Sequence, residues 1–447
     1  MAAHAGSSAV RLRAGAVAIV RRLQAEGFKA YWVGGCVRDV LLGRSPGDFD
    51  IATSAVPSEI ERIFPVVIPV GRAFGVMLVR QADDEFEVAT FRAESDYTDG
   101  RHPSRVSFGD ATADALRRDF TINGLFYDPV KEKLHDWVGG EADLGARLVR
   151  TIGVPEERFQ EDHLRLLRAV RLAAQLNFEI EAGTFEALRK LAQSLRGISA
   201  ERIRDELKRV FRPPHAARGL DLLRDSGLLA VVLPELAATI TCEQSPDFHP
   251  EGTVYQHIRL MLSKMSESAD EMLPWAVLLH DVAKPVTATT DDRTGSIHFY
   301  THEKVGAEMA EAILERLKFP RKDIEAVVQA VRCHMQFKDT LEMRKSTIRR
   351  ILMRPTFPLE LELHYLDCVS SHGRLDAYAH LLEEARELER KPEILPPLIS
   401  GTDLISLGMR PGPAIGALLE EIREKQLQEE LKTSQEALEW AKSRIGG

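Results

Sequence analysis

Two aspartates separated by one residue, Asp48 and Asp50, lie in the segment GDFDIAT. On an extended strand this spacing places both carboxylates on one face, close enough to bind divalent cations together. Upstream, Gly34 and Gly35 separate an apolar run from a helix start, and such a turn lets backbone N–H groups approach phosphates. Glu87, in the strand-like segment EFEVATFR, is a candidate third carboxylate. This combination is typical of phosphoryl or nucleotidyl transfer, in which one cation activates the attacking hydroxyl and another neutralises the leaving pyrophosphate.

A second set of residues with metal-ligand chemistry lies in the later half of the chain. Neutral imidazoles and carboxylates on facing helices can bind one or two divalent cations and activate a water. A single histidine on an apolar helix is more often a core residue, but here an adjacent His-Asp pair follows an apolar run. Asp376 is an alternative to the last member of the set. The candidate ligands are His257, His280, Asp281, His302, His334 and Asp367.

A third group of polar residues recurs in the segment EDHLRLLRAVRLAAQ. Asp162, Arg165, Arg168 and Arg171 are three residues apart, which predicts that they lie near one face of a helix. A carboxylate beside guanidinium groups can hydrogen-bond the edge of a nucleobase, while other arginines reach phosphates. A surface helix with a salt-bridged polar face explains the same spacing. Residues 147–212 contain 14 Lys/Arg and 10 Asp/Glu, a net charge of +4, which is reasonable for a groove that binds an RNA backbone.

The elements that would position these groups change character along the chain. Strand-like segments alternate with helical ones at first, whereas from about residue 155 apolar residues recur at i, i+3, i+4 and i+7. We therefore expect an α+β protein with a small α/β head, followed by an all-helical neck, body and tail. Joints rich in proline and glycine suggest domains at 1–140, 141–240, 241–390 and 391–447. The first residues predict an amphipathic helix after a short loose leader.

The composition limits the class of protein. The chain has 447 residues, a net charge of −9, 44% hydrophobic and 28% charged residues, which is ordinary globular usage. A uniformly basic nucleic-acid coat is excluded, but a local basic groove is not. Four scattered cysteines with no CxxC pair argue against a disulfide framework. Because there is neither a long apolar run nor a signal-peptide pattern, we expect a cytoplasmic protein that makes no membrane contact.

Four segments together resemble the head of the class II tRNA nucleotidyltransferase and bacterial poly(A) polymerase family: GGCVRDVLLG, DFDIATSAVPSEI, EVATFR and RRDFTIN. The similarity continues through DWVGGEADLGARLVRTIG, EDHLRLLRAVRLAAQLNF and ISAERIRDELKRVF, over roughly residues 30–212. The resemblance implies that Asp48 and Asp50 hold catalytic Mg²⁺ and that Glu87 is the third carboxylate. It also implies that Gly35 and Arg38 contact the nucleoside triphosphate.

The same resemblance implies further contacts with the nucleotide. Arg117, Arg118 and Asp119, in the RRD segment, would contact phosphate and the ribose 2′-OH. Glu161, Asp162 and Arg165 would form the protein template that reads incoming CTP or ATP.

Two segments bear on which polymer is made. Residues 92–105 (RAESDYTDGRHPSR) resemble the flexible loop with which CCA-adding members switch from C to A addition, and VGRAFGVMLV resembles the CCA-adding form more than the polyadenylating form. Gly124 and Gly47 stand where the family usually has alanine and lysine. The resemblance therefore implies template-independent addition of C and A, from CTP and ATP, to tRNA 3′ ends. An A-adding enzyme, a poly(A) polymerase and a nucleotide-sensing RNA-binding protein with an inactive head are the alternatives.

The histidines and aspartates between His257 and Asp367 follow the order found in the HD metal-dependent phosphohydrolase superfamily. This resemblance implies a divalent metal, whose identity it does not specify. It also implies hydrolysis of cyclic phosphodiesters or of terminal phosphates on RNA ends. The sequence does not indicate an oligomeric state.

Overall fold

The computed structural model describes residues 2–97, 103–245, 249–390, 397–428 and 430–445. The chain divides into two compact units, Met1–Pro234 and Glu235–Gly447, and the short helix α12 (Pro234–Ala237) lies at the division. Within the described residues, none of the helices has both the length and the apolar character needed to cross a bilayer.

The first unit contains a seven-stranded sheet in the order β3-β4-β5-β2-β1-β8-β9. Strands β2 and β5 are parallel, and the other neighbours in this sheet are antiparallel. Two pairs of strands lie outside it, the hairpin β6–β7 and the parallel pair β10–β11. The strands are β1 (Ala30–Val33), β2 (Asp50–Thr53), β3 (Val67–Gly71), β4 (Val76–Gln81), β5 (Asp84–Thr90), β6 (Arg92–Tyr97), β7 (Pro103–Phe108), β8 (Phe126–Asp128), β9 (Lys133–His135), β10 (Leu148–Val149) and β11 (Glu179–Ile180).

The alternation of apolar and polar residues is clearest in β5, where Phe86, Val88 and Thr90 are buried, whereas β2 has three consecutive buried residues. Val33, Ala52 and Phe126, from neighbouring strands, form a buried cluster with Phe91. Helices pack against the sheet, and helices also predominate in the later part of the first unit. They are α1 (Ala2–Ala25), α2 (Gly35–Leu41), α3 (Pro57–Ile63), α4 (Ala111–Leu116), α5 (Gly140–Ala146), α6 (Pro155–Glu161), α7 (Arg165–Leu176), α8 (Ala182–Leu191), α9 (Ala200–Val210), α10 (Ala216–Asp225) and α11 (Leu229–Val232).

Among the described residues of the second unit, the strands form one small hairpin, β12 (Ala288–Thr290) with β13 (Ile297–Phe299), and helices predominate elsewhere. Its last three helices share a core of their own, which includes Leu404, Leu418 and Ala437. The helices are α13 (Val254–Ser263), α14 (Leu273–Leu279), α15 (Lys284–Thr287), α16 (His302–Arg316), α17 (Arg321–Cys333), α18 (Lys345–Leu352), α19 (Phe357–Ser370), α20 (Asp376–Arg390), α21 (Gly401–Ser406), α22 (Pro413–Leu427) and α23 (Ser434–Ile445).

The predicted α+β fold, with an α/β head before a helical remainder, is confirmed, but three details differ. The expected loose leader is helical, since α1 begins at Ala2 in an alanine-rich segment that favours helix. The helix predicted through Asp162 is interrupted: α6 ends at Glu161, Asp162 has extended backbone, and α7 begins at Arg165. The Asp162 side chain accepts a hydrogen bond from the Leu164 backbone N–H, a local contact that competes with helix. Short strand pairs also occur in the regions predicted to be all helical.

Candidate active site and candidate metal centre

The three carboxylates singled out in the head lie at one end of the parallel strand pair. Ile51 is opposite Val88 in the register, so Asp50 and Glu87 both lie one residue before the first aligned pair of β2 and β5. Burial raises the pKa of Asp50 to about 6, with further increases from the charges of Asp48 and Glu87, and Arg118 opposes them. The cluster therefore holds more negative charge than its surroundings neutralise, and a divalent cation is suited to supply the missing positive charge.

Gly34 makes room for an arginine beside this cluster. It follows β1 with a φ of 75°, a backbone conformation that favours glycine. A Cβ atom at this position would lie 3.2 Å from Nη1 of Arg118 and 3.9 Å from Oδ2 of Asp50. The glycine turn, the carboxylate and the guanidinium therefore meet at one point, as a phosphate-binding site next to a metal site requires.

One buried carboxylate, absent from the sequence prediction, holds both arginines of the RRD segment. Asp114 Oδ1 accepts hydrogen bonds from Arg117 at 2.7 and 2.9 Å, and its Oδ2 accepts from Arg118 at 3.1 and 3.3 Å. Its side chain is 1% exposed, and the two guanidinium groups outweigh burial and lower its pKa. The sequence does contain a signal for these contacts: Arg117 and Arg118 follow Asp114 by three and four residues, the spacing at which side chains on a helix are neighbours.

Arg38 and Asp119, also predicted to contact nucleotide, both bond to Asn123. Arg38 Nη1 donates to Asn123 Oδ1 at 2.7 Å, and Asn123 Nδ2 donates to Asp119 Oδ1 at 3.3 Å. The other oxygen of Asp119 lies 2.8 Å from Nη2 of Arg168. Asp119 is buried, and Arg168 and Arg165 outweigh that burial and lower its pKa. The structure thus joins the RRD segment to α7, with Oδ1 of Asp119 in hydrogen bonds and its Oδ2 in an ion pair with Arg168.

The residues predicted to read the base lie around the break between α6 and α7. Arg165 Nη1 donates to Glu161 Oε2 at 2.5 Å and to the Arg158 carbonyl at 3.0 Å. Asp162 Oδ2 accepts from Arg202 Nη2, on α9, at 2.8 Å. Arg202 is not identified from the sequence, because the two partners of this contact are 40 residues apart and no short, regular spacing connects them.

Arg171, the last of the arginines at intervals of three, pairs with Glu206 rather than with the residues predicted to read the base. Its Nε lies 3.0 Å from Glu206 Oε2. Residues 98–102 of the predicted switching loop lie outside the described residues, and those on either side form the hairpin β6–β7.

The second unit brings all six predicted ligands together. His302 Nε2 lies 3.2 Å from His334 Nε2, and the two nitrogens lie 3.5 and 3.9 Å from Asp281 Oδ1. The Nδ1 atoms of both histidines are 2.7 and 2.6 Å from the Phe299 and Val331 carbonyls, so each Nδ1 carries the proton. When both rings are neutral, each Nε2 atom is an acceptor, and either a proton or a metal cation between the two atoms removes their repulsion.

The remaining three ligands form a neighbouring group that shares the same pocket of imidazoles. Nε2 of His257 lies 3.1 Å from Oδ1 of Asp367, and Nε2 of His280 lies 3.1 Å from Oδ2 of Asp281. Within the part of the chain that the structure describes, both Nε2 atoms are buried without a hydrogen-bond partner of suitable geometry, as is typical of groups that bind a metal. The residues present therefore fit one or two divalent cations, with Asp281 placed between the two groups.

Burial and the neighbouring carboxylates shift the pKa values of the imidazoles at this site in opposite directions. Burial lowers the pKa of His334 to about 3, so it is the neutral ligand form at pH 7. At His257, the neighbouring carboxylates of Asp367 and Glu251 outweigh burial and raise the pKa to about 9. Lys284 Nζ lies 2.7 Å from Asp281 Oδ2, and it donates to Gln244 Oε1 at 2.6 Å. Lys284, Gln244, Glu251 and His249 were not singled out from the sequence.

The three carboxylates of the head, Asp48, Asp50 and Glu87, lie further apart than the candidate ligands of the second unit. Among the described residues, the groups of three or more ligands whose atoms lie within 4.8 Å of one another all belong to the second unit: His249–Glu251–His257, His257–His280–Asp367 and Asp281–His302–His334.

Comparison with protein families finds three matches, in chain order. Residues 30–150 match the "Poly A polymerase head domain", and residues 252–367 match the "HD domain". Between them, residues 177–240 match the "Probable RNA and SrmB- binding site of polymerase A". The Asp48–Asp50 pair and the RRD segment lie in the first match, and the six predicted ligands lie in the last.

The chain is also similar to curated proteins from Staphylococcus aureus. It is 45% identical to the CCA-adding enzyme of strain MRSA252 over 207 residues, 46% of this chain and 52% of that protein. It is 48% identical to the CCA-adding enzyme of strain Mu3 over 195 residues, 43% of this chain and 48% of that protein. The chain spans about half the length of the curated relatives it matches.

Similarity to solved structures extends over nearly the whole chain. The CCA-adding enzyme of Bacillus stearothermophilus, in complex with CTP, superimposes with a TM-score of 0.75 and 28% identity over 97% of both chains. The CCA-adding enzyme of Thermotoga maritima, complexed with tRNA, has the same fold at 19% identity, a TM-score of 0.58, and coverage of 96% of this chain and 94% of that one. With matches to a poly(A) polymerase head, an RNA-binding region and an HD domain in this order, the chain is similar to the tRNA nucleotidyltransferase and poly(A) polymerase family.

Proposed function

We propose that this protein adds C and A nucleotides from CTP and ATP to the 3′ end of tRNA, without a nucleic-acid template. The observation that carries the proposal is the meeting of Asp50, Gly34 and Arg118 at the end of the parallel strand pair. The likeness to a CTP-bound CCA-adding enzyme over 97% of the chain supports this substrate class.

The residues of the head divide the chemistry between them. Asp48, Asp50 and Glu87 would hold Mg²⁺, which supplies activation of the tRNA 3′-hydroxyl and neutralisation of pyrophosphate. Arg118 and Arg38 would bind the triphosphate, and each has a partner that fixes its orientation, Asp114 or Asn123. Fixed guanidinium groups cost little reorganisation when charge develops on the leaving group.

Base choice would depend on the break between α6 and α7. Asp162 and Arg165 are held by Arg202 and Glu161, so their remaining donors and acceptors have fixed positions. A pattern that fits C and A but not U or G discriminates because a mismatch leaves desolvated polar groups unpaired, at a cost of roughly 1–3 kcal/mol each.

We further propose that the second unit is a metal-dependent phosphohydrolase that acts on cyclic phosphodiesters or terminal phosphates of RNA ends. The facing Nε2 atoms of His302 and His334, 3.2 Å apart, carry this second proposal because a metal cation between them removes their repulsion. A divalent metal there supplies an activated water, and the neutral imidazoles hold it without adding charge.

The experiment for the first proposal is stepwise extension of tRNAs that end before CCA, after its first C, after CC or after the complete CCA, with each nucleoside triphosphate supplied alone. We expect CTP incorporation on the tRNAs that end before CCA or after its first C. We expect ATP incorporation only on the tRNA that ends in CC. ATP incorporation on tRNA lacking CC would favour a poly(A) polymerase. Incorporation only of A after CC would indicate an A-adding enzyme, and no incorporation at all would indicate an inactive head.

A further inference from the structure

One of the four candidate histidine ligands, His257, is held differently from the other three. His280, His302 and His334 each place Nδ1 within 2.9 Å of a main-chain carbonyl. His257 places Nδ1 2.5 Å from the Oε1 atom of Glu251 instead. A carbonyl fixes the tautomer of an imidazole, whereas a carboxylate also makes the opposite ring nitrogen a more basic ligand.

Glu251 is itself held in a buried position. Its side chain is 9% exposed, and His249 Nδ1 lies 2.9 Å from the same Oε1 atom. The Oε2 atom is buried and has no hydrogen-bond partner in the described part of the chain. Burying a carboxylate with one oxygen unpaired is costly, so a role in packing alone does not account for this residue.

We propose that Glu251 is a positioning residue for the metal centre of the second unit. By accepting the Nδ1 hydrogen of His257, it directs Nε2 of that ring towards Asp367, whose Oδ1 lies 3.1 Å away. His249, on the other side of the shared oxygen, restricts the rotation of the Glu251 carboxylate. The inference rests on the proposal that this site binds a divalent metal.

Mn²⁺ affinity, measured by calorimetry on the full chain, tests the inference. An Asp48→Ala, Asp50→Ala background removes the carboxylate pair proposed to bind metal in the head. In this background we expect Glu251→Ala to weaken Mn²⁺ binding about 10–100-fold, as is typical for a partner behind a histidine ligand. Glu251→Gln keeps the acceptor but loses the charge, and it should lie between the parent and the alanine variant.

The matched control is Glu243→Gln, which makes the same charge change at an exposed side chain in the same segment. It should bind Mn²⁺ as the parent does. A second control removes the ligand: in a His257→Ala background, Glu251→Gln should cause no additional loss, because Glu251 acts through that ring. Nitrogen-15 NMR of His257, recorded with diamagnetic Zn²⁺ in place of Mn²⁺, should show the proton on Nδ1 in the metal-bound parent and a shifted Nδ1 signal in Glu251→Gln.

The failures of the two proposals are distinguishable. Parent-like affinity in both Glu251 variants would overturn the positioning role while leaving the metal site intact. The same role would be overturned if Glu251→Gln weakened binding equally with and without His257. A parent protein that binds no Mn²⁺ would overturn the metal site, and the role of Glu251 with it.

Discussion

Asp50→Asn should stabilise the metal-free head while abolishing nucleotide addition. Raising the pKa of a carboxyl from 3.8 to about 6 corresponds to a penalty of about 3 kcal/mol on the ionised folded state, at about 1.4 kcal/mol per pKa unit. Burial is the largest source of this penalty, ahead of the repulsion by Asp48 and Glu87. Solvent and counter-ions reduce it, so we expect a gain of about 1–2 kcal/mol in the free energy of unfolding at pH 7. Asparagine keeps the shape of the side chain and removes the charge that Asp48 and Glu87 repel.

The pH dependence has a definite sign. The pKa of Asp50 is higher in the folded state, so ionisation destabilises the fold, and the penalty grows between pH 3.8 and 6. The stability difference between variant and parent should therefore be complete above about pH 6, smaller at pH 5 and absent below about pH 4. Mg²⁺ should reverse the order at pH 7, because it stabilises the parent and has lost a ligand in the variant.

Hydrogen exchange of peptides from β2 and β5, in buffer with a metal chelator, measures this effect in the head alone. A gain of 1–2 kcal/mol predicts exchange about 5–30-fold slower in the variant. Asp83→Asn, an equal change of charge in the exposed turn between β4 and β5, should leave exchange unchanged. Faster exchange in Asp50→Asn, or an equal effect of Asp83→Asn, would refute the reasoning about carboxylate repulsion.

Three other predictions concern activity. Glu87→Gln should lower kcat for CTP addition at least tenfold. The control Glu85→Gln, at an exposed position of the same strand, should leave kcat unchanged. Equal kcat in both variants would exclude Glu87 from the site. Asp162→Ala should reduce discrimination against UTP and GTP by about one to two orders of magnitude, because unpaired polar groups cost roughly 1–3 kcal/mol and about 1.4 kcal/mol is tenfold. The measurement is kcat/KM for each nucleoside triphosphate on tRNA ending in CC. A uniform rate loss with unchanged selectivity would mean that Asp162 is structural. His334→Ala should abolish phosphatase activity on RNA ends and leave nucleotide addition unchanged, with His380→Ala as control; joint loss of both activities in a folded protein would contradict two separate sites.

Local patterns in the sequence predicted some of the strands and the order of the metal-binding candidates, because both depend on residue type and short spacing. FDIAT and EFEVATFR contain β2 and most of β5, and their parallel pairing places Asp50 beside Glu87. The candidate ligands from His257 to Asp367 lie close together in the structure, although more than 100 residues separate the first from the last; that they bind a metal stays a prediction.

The sequence could not predict the groups that hold these residues in place. Arg202 reaches Asp162 across 40 residues, and Glu251 is identified only by the ring that it contacts. The helix expected through Asp162 was wrong because its side chain bonds to the backbone two residues further on, which spacing alone does not reveal. Partners of this kind depend on tertiary packing.

The central proposal, CCA addition by the head, is tested most directly by the intact mass of a tRNA lacking CCA after incubation with CTP, ATP and Mg²⁺. The proposal predicts a product longer by three nucleotides, two C and one A, with no further growth, and no product from the Asp48→Ala, Asp50→Ala variant. A run of A residues, addition of A alone, or extension by the double variant would contradict it.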